Sequence, residues 1–345
     1  MKKTLKQLLP IVLAFALLAY ALRGMPLASL LDQLYKASPL WITVTALVMG
    51  IQTLLRAIRW RMLLQGLGYT PSTGRALSAM LAGSASGLII PGSGELLRCT
   101  LLQRSDNVPI TESVGSIITE RLVDLLGTAV FLMLTILLES GRLLAYVRQY
   151  MQPPAWVLSV TTGQWVGVAV AITLSISLGI WGLKTLAKKA SVQRLATRFK
   201  VRERVDGFRR GLLSIRLVGS PSLYWLTTFF IHGLSLVVLT ALFHALPVTE
   251  TLPNSAALTV FALTSLGSLT IPTQASIGSY HFLASRGLVA YGLPILAGTV
   301  WATFSHAVIT LVNLVFSALG FLAALRFIRR KPTYTVAEPE QPTAL

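Results

Sequence analysis

The chain has 345 residues, of which 54% are apolar and only 12% charged, with a mean hydropathy of +0.69. Soluble domains carry about twice that charged share, so a disordered chain and a soluble enzyme with a single compact core are both set aside. The net charge of +18 would suggest nucleic acid in a soluble protein, but here the basic residues sit mostly between apolar blocks, as membrane topology requires.

The expected class is an all-α polytopic membrane protein with no nucleic-acid partner. A helix crossing a bilayer needs ~20 residues at ~1.5 Å each. Six blocks approach or exceed that length: Gln7–Leu22, Leu40–Ile58, Ser113–Leu138, Gly163–Leu183, Leu223–Leu246 and Ile295–Leu325. The first is short, and Lys6 and Arg23 can snorkel from its ends. With Lys2, Lys3 and Ala19-Tyr20-Ala21 it also has the outline of a secretory signal, although the series of spans behind it favours a retained helix. Cys99 is the single cysteine, which excludes an internal disulfide and any multi-cysteine metal site.

Two apolar stretches are interrupted. Ala76–Ile90 stops at Pro91-Gly92-Ser93-Gly94 and resumes as Glu95–Gln103. Ala256–Ile271 stops at Pro272-Thr273-Gln274-Ala275-Ser276-Ile277-Gly278 and resumes as Ser279–Tyr291. Proline ends a helix, and broken backbone at membrane depth persists only where protein or a water-filled cavity covers it. Both stretches are expected to be re-entrant hairpins that return to the side they came from.

Charge placement favours this layout. With a cytoplasmic N-terminus and two returning hairpins, 24 basic residues fall inside and 4 outside, eleven of them in 184–220 alone. Letting one hairpin cross moves either 184–220 or the C-terminal Arg326, Arg329, Arg330 and Lys331 outside, against the positive-inside rule. The expected organisation is one integral membrane domain over 1–330. Its first half, 40–183, holds a hairpin at 76–104. A basic cytoplasmic loop at 184–220 suits a helix lying on an anionic leaflet or a merely solvated loop. The second half, 222–325, holds a hairpin at 256–291, and a disordered cytoplasmic tail fills 331–345. Gly87-Leu88-Ile89-Ile90-Pro91 aligns with Ser268-Leu269-Thr270-Ile271-Pro272 at an offset of 181. About six spans plus two broken hairpins in an inverted repeat is a transporter design.

A charge within the membrane costs ~2.5–3.5 kcal/mol on insertion scales. Glu120 and Asp124 share a helix face, Arg121 can pair with Asp124, and Glu95 and Arg98 follow the first break. The group reads either as an ion-pair joint between helices or as a polar site at the hairpin tip. Pro91, Gly92 and Gly94 shape a turn whose restarting helix presents free N–H groups, and with Arg98 these suit a phosphate, unless Glu95 satisfies them instead. The second break offers Pro272, Gln274, Ser276 and Gly278, with His281 just beyond, a neutral set suited to hydroxyls or a proton step. Arg56 and Arg59 close the second span and read as interfacial anchors or lipid-headgroup contacts. No metal site, cofactor motif, phosphate-binding Gly-x-x-x-x-Gly-Lys-Ser/Thr loop or catalytic signature is found.

Pro91-Gly92-x-Gly94-Glu95-x-x-Arg98 followed by Glu120-Arg121-x-x-Asp124 resembles the family of the lysylphosphatidylglycerol synthase transmembrane region, the flippase-like membrane proteins. Arg59-Trp60-x-x-Leu63-Leu64 fits its second-helix motif, and Ile271-Pro272 with Ile277-Gly278 fits its later signature. The likeness covers about residues 5–330, with His281 where the family pattern has Glu. It implies a lipid translocase of the bacterial inner membrane, with anionic phospholipid as partner and homo-oligomerisation left open. Lipid aminoacylation is not expected, because only 20 residues follow Leu325. The alternative is an intramembrane enzyme acting on lipid phosphates or lipid-linked sugars.

Overall fold

The computed structural model describes residues 32–33, 35–89, 93–150, 201–270 and 276–329. Nine α-helices fill them: α1 (Pro39–Gly66), α2 (Thr73–Ile89), α3 (Ser93–Asp106), α4 (Ile110–Tyr150), α5 (Val201–Leu212), α6 (Pro221–His244), α7 (Asn254–Thr270), α8 (Ser279–Val289) and α9 (Ile295–Arg329). A short 3-10 turn, Ser214–Leu217, links α5 to α6, and no strand occurs among the described residues. Helices over Pro39–Gly66, Ile110–Arg142, Pro221–His244 and Ile295–Phe327 are long and apolar enough to cross a membrane. Leu125, Leu126 and Leu137 of α4 and Leu311, Leu319 and Leu322 of α9 are exposed, as lipid-facing flanks are. The protein is an all-α polytopic membrane protein. The expected spans Gln7–Leu22 and Gly163–Leu183, residues 90–92 and 271–275 at the two breaks, the loop up to 200 and the tail 331–345 lie outside the described residues.

Two boundaries differ from the sequence reading. α1 runs on past Ile58 to Gly66, and α4 continues past Leu138 with a kink at Glu139 (φ −116°, ψ 15°). In α1 Arg59 and the following Trp60 are buried instead of marking an interface. Pro39 and Pro221 open α1 and α6 within the first turn, where a missing N–H costs nothing.

Each broken stretch folds back on itself. Arg75 at the start of α2 donates to Asp106 at the end of α3 at 2.8 Å, so the two ends lie together. Between them α2 and α3 touch through glycines, and a Cβ on Gly94 would stand 2.6 Å from the Gly83 carbonyl oxygen. In the second stretch the Tyr291 hydroxyl lies 2.7 Å from Thr259 Oγ1 and donates to the Ser255 carbonyl at 3.1 Å, tying the start of α7 to the residues after α8. Gly278, at φ +82°, opens α8 in a conformation that L side chains rarely adopt.

The two folded-back pairs open toward opposite ends of the bundle. α1 starts where α6 finishes, with the Ser38 N–H donating to the Ala245 carbonyl at 2.9 Å. Arg142 of α4 reaches Ser255 at this same end. At the other end Gly66 closes α1 against the backbone of Leu217, and α5 lies on the start of α4. Thr119 donates there to the Leu212 carbonyl at 2.8 Å, and Arg210 pairs with the buried Glu112. The last part of the basic loop is therefore packed on α4. α9 runs along α2, α4 packs against α7, and α1 pairs with α6 through the middle.

Beside a small cluster of Met62, Leu63, Val123, Val218 and Tyr224, two larger apolar cores result, one around each folded-back pair. Met49, Leu242, Phe243, Val260, Leu288 and Trp301 form one, and Ala57, Trp60, Ala79, Leu102, Ile117 and Ala324 the other. α1 and α9 contribute to both. The space between the two cores is where the polar residues collect.

Candidate functional site

α1 carries Gln52, Arg56 and Arg59 at successive turns of one face. α4 carries Glu120, Arg121 and Asp124, and α3 carries Glu95 and Arg98. Packing the three helices brings these side chains into one network. Arg59, with no exposed surface, reaches Asp124 at 2.6 Å and Glu120 at 3.3 Å, and donates to Thr228 at 3.4 Å. The other Glu120 oxygen takes Arg98 at 3.0 Å. Arg98 also lies over the Trp60 ring at 4.7 Å, and the Trp60 indole donates to Ser116. Arg121 pairs with Glu95 at 2.7 Å, while Arg56 reaches Asp124 only at 3.7 Å.

Four guanidinium groups thus face three carboxylates, an excess of one positive charge in a setting where unpaired charge is costly. The Nε of Arg98 is buried and has no hydrogen-bond partner. Arg98 is therefore held from two sides, by Glu120 and Trp60, with donor capacity left over.

A cavity of about 590 Å³ opens beside this network. It is bounded by Gly87, Gly94, Glu95 and Arg98 of the first folded-back pair and by Ser268, Ser276 and Tyr280 of the second. Arg56, Glu120 and Arg121 add charged groups to its lining. Gln52, Thr53, Ser235, Thr264, Ser265 and Asn313 add uncharged polar ones.

The family model for the lysylphosphatidylglycerol synthase transmembrane region matches residues 7–330. The chain belongs to this family. It is also 29% identical over 123 residues to the glycosyltransferase AglD of Haloferax volcanii, a match covering 35% of this chain and 19% of that protein. The chain thus spans about a fifth of the length of the curated relative it matches. No solved structure matches.

In this family member the sequence-nominated residues separate into groups. Gly94, Glu95, Arg98, Glu120, Arg121, Ser276 and Arg56 line the cavity. Asp124 stands behind it, holding Arg59 and Arg56. Arg59 is no headgroup contact at the membrane surface. Its guanidinium is consumed by two carboxylates in the interior. Gly278 turns the chain into α8, where its N–H donates to His281 Nδ1 at 3.3 Å. His281 is buried on the far side of α8 with its ring 4.9 Å from that of His306, and the adjacent Tyr280 faces the cavity instead. Pro91, Gly92, Pro272 and Gln274 lie outside the described residues. Among the described residues, no three His, Cys, Asp or Glu side chains converge as a metal would require.

The residues missed from sequence are the uncharged ones: Gln52, Ser235, Tyr280 and Asn313. Gln52 was signalled by its place one turn before Arg56, on the same face of an apolar helix. Asn313, alone among apolar neighbours in α9, carried the same kind of signal.

Proposed function

We propose that the protein moves a lipid with an anionic headgroup between the leaflets of the bacterial inner membrane. The observation that carries this reading is the cavity between the two folded-back pairs, with Arg56, Arg98 and Arg121 in its lining. One excess positive charge matches one phosphate ester. Arg98 contacts the phosphate, and Glu120 holds Arg98 in place. The Glu95–Arg121 pair is partly exposed, close in sequence to the exposed apolar Leu96, Leu122 and Leu125. A charged lip on an apolar flank lets a headgroup slide in while its acyl chains stay in lipid.

In this reading the two folded-back pairs are re-entrant hairpins of an inverted repeat, dipping from opposite faces. The end that gathers Arg61, Arg75, Arg104, Arg209, Arg210 and Arg216 faces the cytoplasm. Both termini lie on that side.

Reconstituted vesicles with tail-labelled phosphatidylglycerol, read by a membrane-impermeant quencher, test the proposal. Wild type accelerates loss of the protected signal, Arg98→Ala abolishes the acceleration and Arg98→Lys retains part of it. Equal rates for wild type and Arg98→Ala would overturn the assignment. The name of the Haloferax relative favours a second reading, chemistry on a lipid-linked sugar. Glu95 and Glu120 are both engaged by arginines, which suits anion contact better than proton transfer. A covalently altered lipid, found by mass spectrometry after incubation with purified protein, would establish that second reading.

A further inference from the structure

The second break meets the cavity through a turn that is costly to hold. Ser276 (φ +58°) and Gly278 (φ +82°) both take the left-handed conformation within three residues, and a serine seldom does so. Such a turn persists only where its surroundings fix it. The Ser279 hydroxyl donates to the Ser276 carbonyl at 3.2 Å, and the Tyr280 hydroxyl lies 3.1 Å from Ser305 Oγ on α9. A third tie comes from His281. It holds the third position of α8, where a capping box ordinarily has Glu or Gln. Its Nδ1 takes the Gly278 N–H at 3.3 Å, and its burial leaves that N–H no ready substitute in water.

An imidazole accepts at Nδ1 only while that nitrogen is unprotonated, so this contact fixes His281 as the neutral ring with its proton on Nε2. A second proton would turn the acceptor into a donor facing another donor, at the positive end of a helix. A proton relay would also call for a carboxylate beside the charged ring. α7 and α9 pack against α8. α7 has no ionisable residue, and before Arg326 α9 has only His306, its ring 4.9 Å from that of His281. α8 itself adds Tyr280 and Arg286. We propose that His281 is a positioning residue: a neutral acceptor that caps α8 and so holds Ser276 and Tyr280 in the cavity lining. It gives a buried helix start the acceptor that a Glu would supply, without adding a charge. The cap stands on the geometry of α8, while its bearing on lipid movement rests on reading the cavity as a lipid-headgroup site.

A nitroxide label on Ser276→Cys, in the full chain in detergent with the buried Cys99 changed by Cys99→Ala, reports the turn by electron paramagnetic resonance. With His281 in place the label is mainly immobile. His281→Phe keeps a ring against His306 but removes the acceptor, and the ratio of mobile to immobile label rises about fivefold, the equilibrium worth of one helix cap. His281→Ala does the same and stands in should His281→Phe fail to fold. His281→Gln restores the acceptor and, with it, the immobile spectrum. In vesicles carrying tail-labelled phosphatidylglycerol, His281→Gln moves lipid at the wild-type rate and His281→Phe about fivefold more slowly. A label as immobile in His281→Phe and His281→Ala as with His281 present, or as mobile in His281→Gln as in those two, would overturn the proposal. So would an immobile turn in His281→Gln together with loss of lipid movement, because the ring would then be needed for its proton. Absence of lipid movement in wild type, with the spectra ranked as expected, would remove the transport reading and leave the cap standing.

Discussion

The two folded-back pairs share a plan and differ in chemistry. α2 and α7 each have 17 residues, each begins a segment that turns back on itself, and each leans on the long helix that closes the other half. The first pair brings Glu95 and Arg98 to the cavity, while the second brings Ser268, Ser276 and Tyr280. Architecture is thus repeated where charge is not. The lesson is that the shared plan does not require charged side chains at the cavity. The second pair brings none there, so the charges that the first pair brings answer to something other than the folding-back itself.

The sharpest way to break this comparison is to remove the carboxylate at the centre of the charged half. Glu120→Ala leaves two buried guanidinium groups without their shared partner, and destabilisation of about 3–5 kcal/mol is expected. Ser268→Ala in the neutral half is expected to stay within about 0.5 kcal/mol. Unfolding midpoints in detergent measure both. Similar losses for the two variants would remove the distinction between the halves.

Next come the glycines inside each pair. Gly94→Ala drives a methyl group into the Gly83 backbone, which cannot yield cheaply, and about 1–3 kcal/mol is expected. Gly267→Ala meets only the end of the Leu283 side chain, which can swing aside, so its effect is expected to be smaller. The same thermal measurements rank them.

Smaller still is Tyr291→Phe, which removes the hydroxyl joining the two ends of the second pair, with an expected loss of about 0.5–1.5 kcal/mol. Least of all in stability is Arg121→Gln. Its pair with Glu95 is half exposed and is expected to contribute under about 1 kcal/mol. Lipid movement in vesicles is nevertheless expected to fall in this variant. Stability and movement dropping together would mean that the pair is only a strut.

Much of this plan is legible in the sequence because membrane spans are constrained so strongly. Apolar runs and prolines placed α2, α3, α7 and α8 to within a few residues, and the grouping of Glu95, Arg98, Glu120, Arg121 and Asp124 was apparent from spacing. Arg59 was not. An arginine at the end of an apolar block commonly snorkels to the surface, and what pulls this one inward is a pair of carboxylates about sixty residues away. The uncharged polar part of the cavity lining was equally hidden. A serine or threonine in a membrane helix normally satisfies itself on its own backbone, so only the convergence of four helices distinguishes Thr53, Ser235, Thr264 and Asn313 from their neighbours.

The exchange of partners between halves bears on how the chain is made. α2 leaves the ribosome long before α9, yet α9 supplies its lateral support, and Gly320 of α9 meets α2 at Leu81 and Ala82. The first pair must therefore wait, inserted with only α1 and α4 beside it, until nearly the whole polypeptide has been synthesised. Its side chains would meanwhile be exposed to the insertion machinery and to quality-control proteases, so a truncation before residue 295 would leave a product marked for degradation.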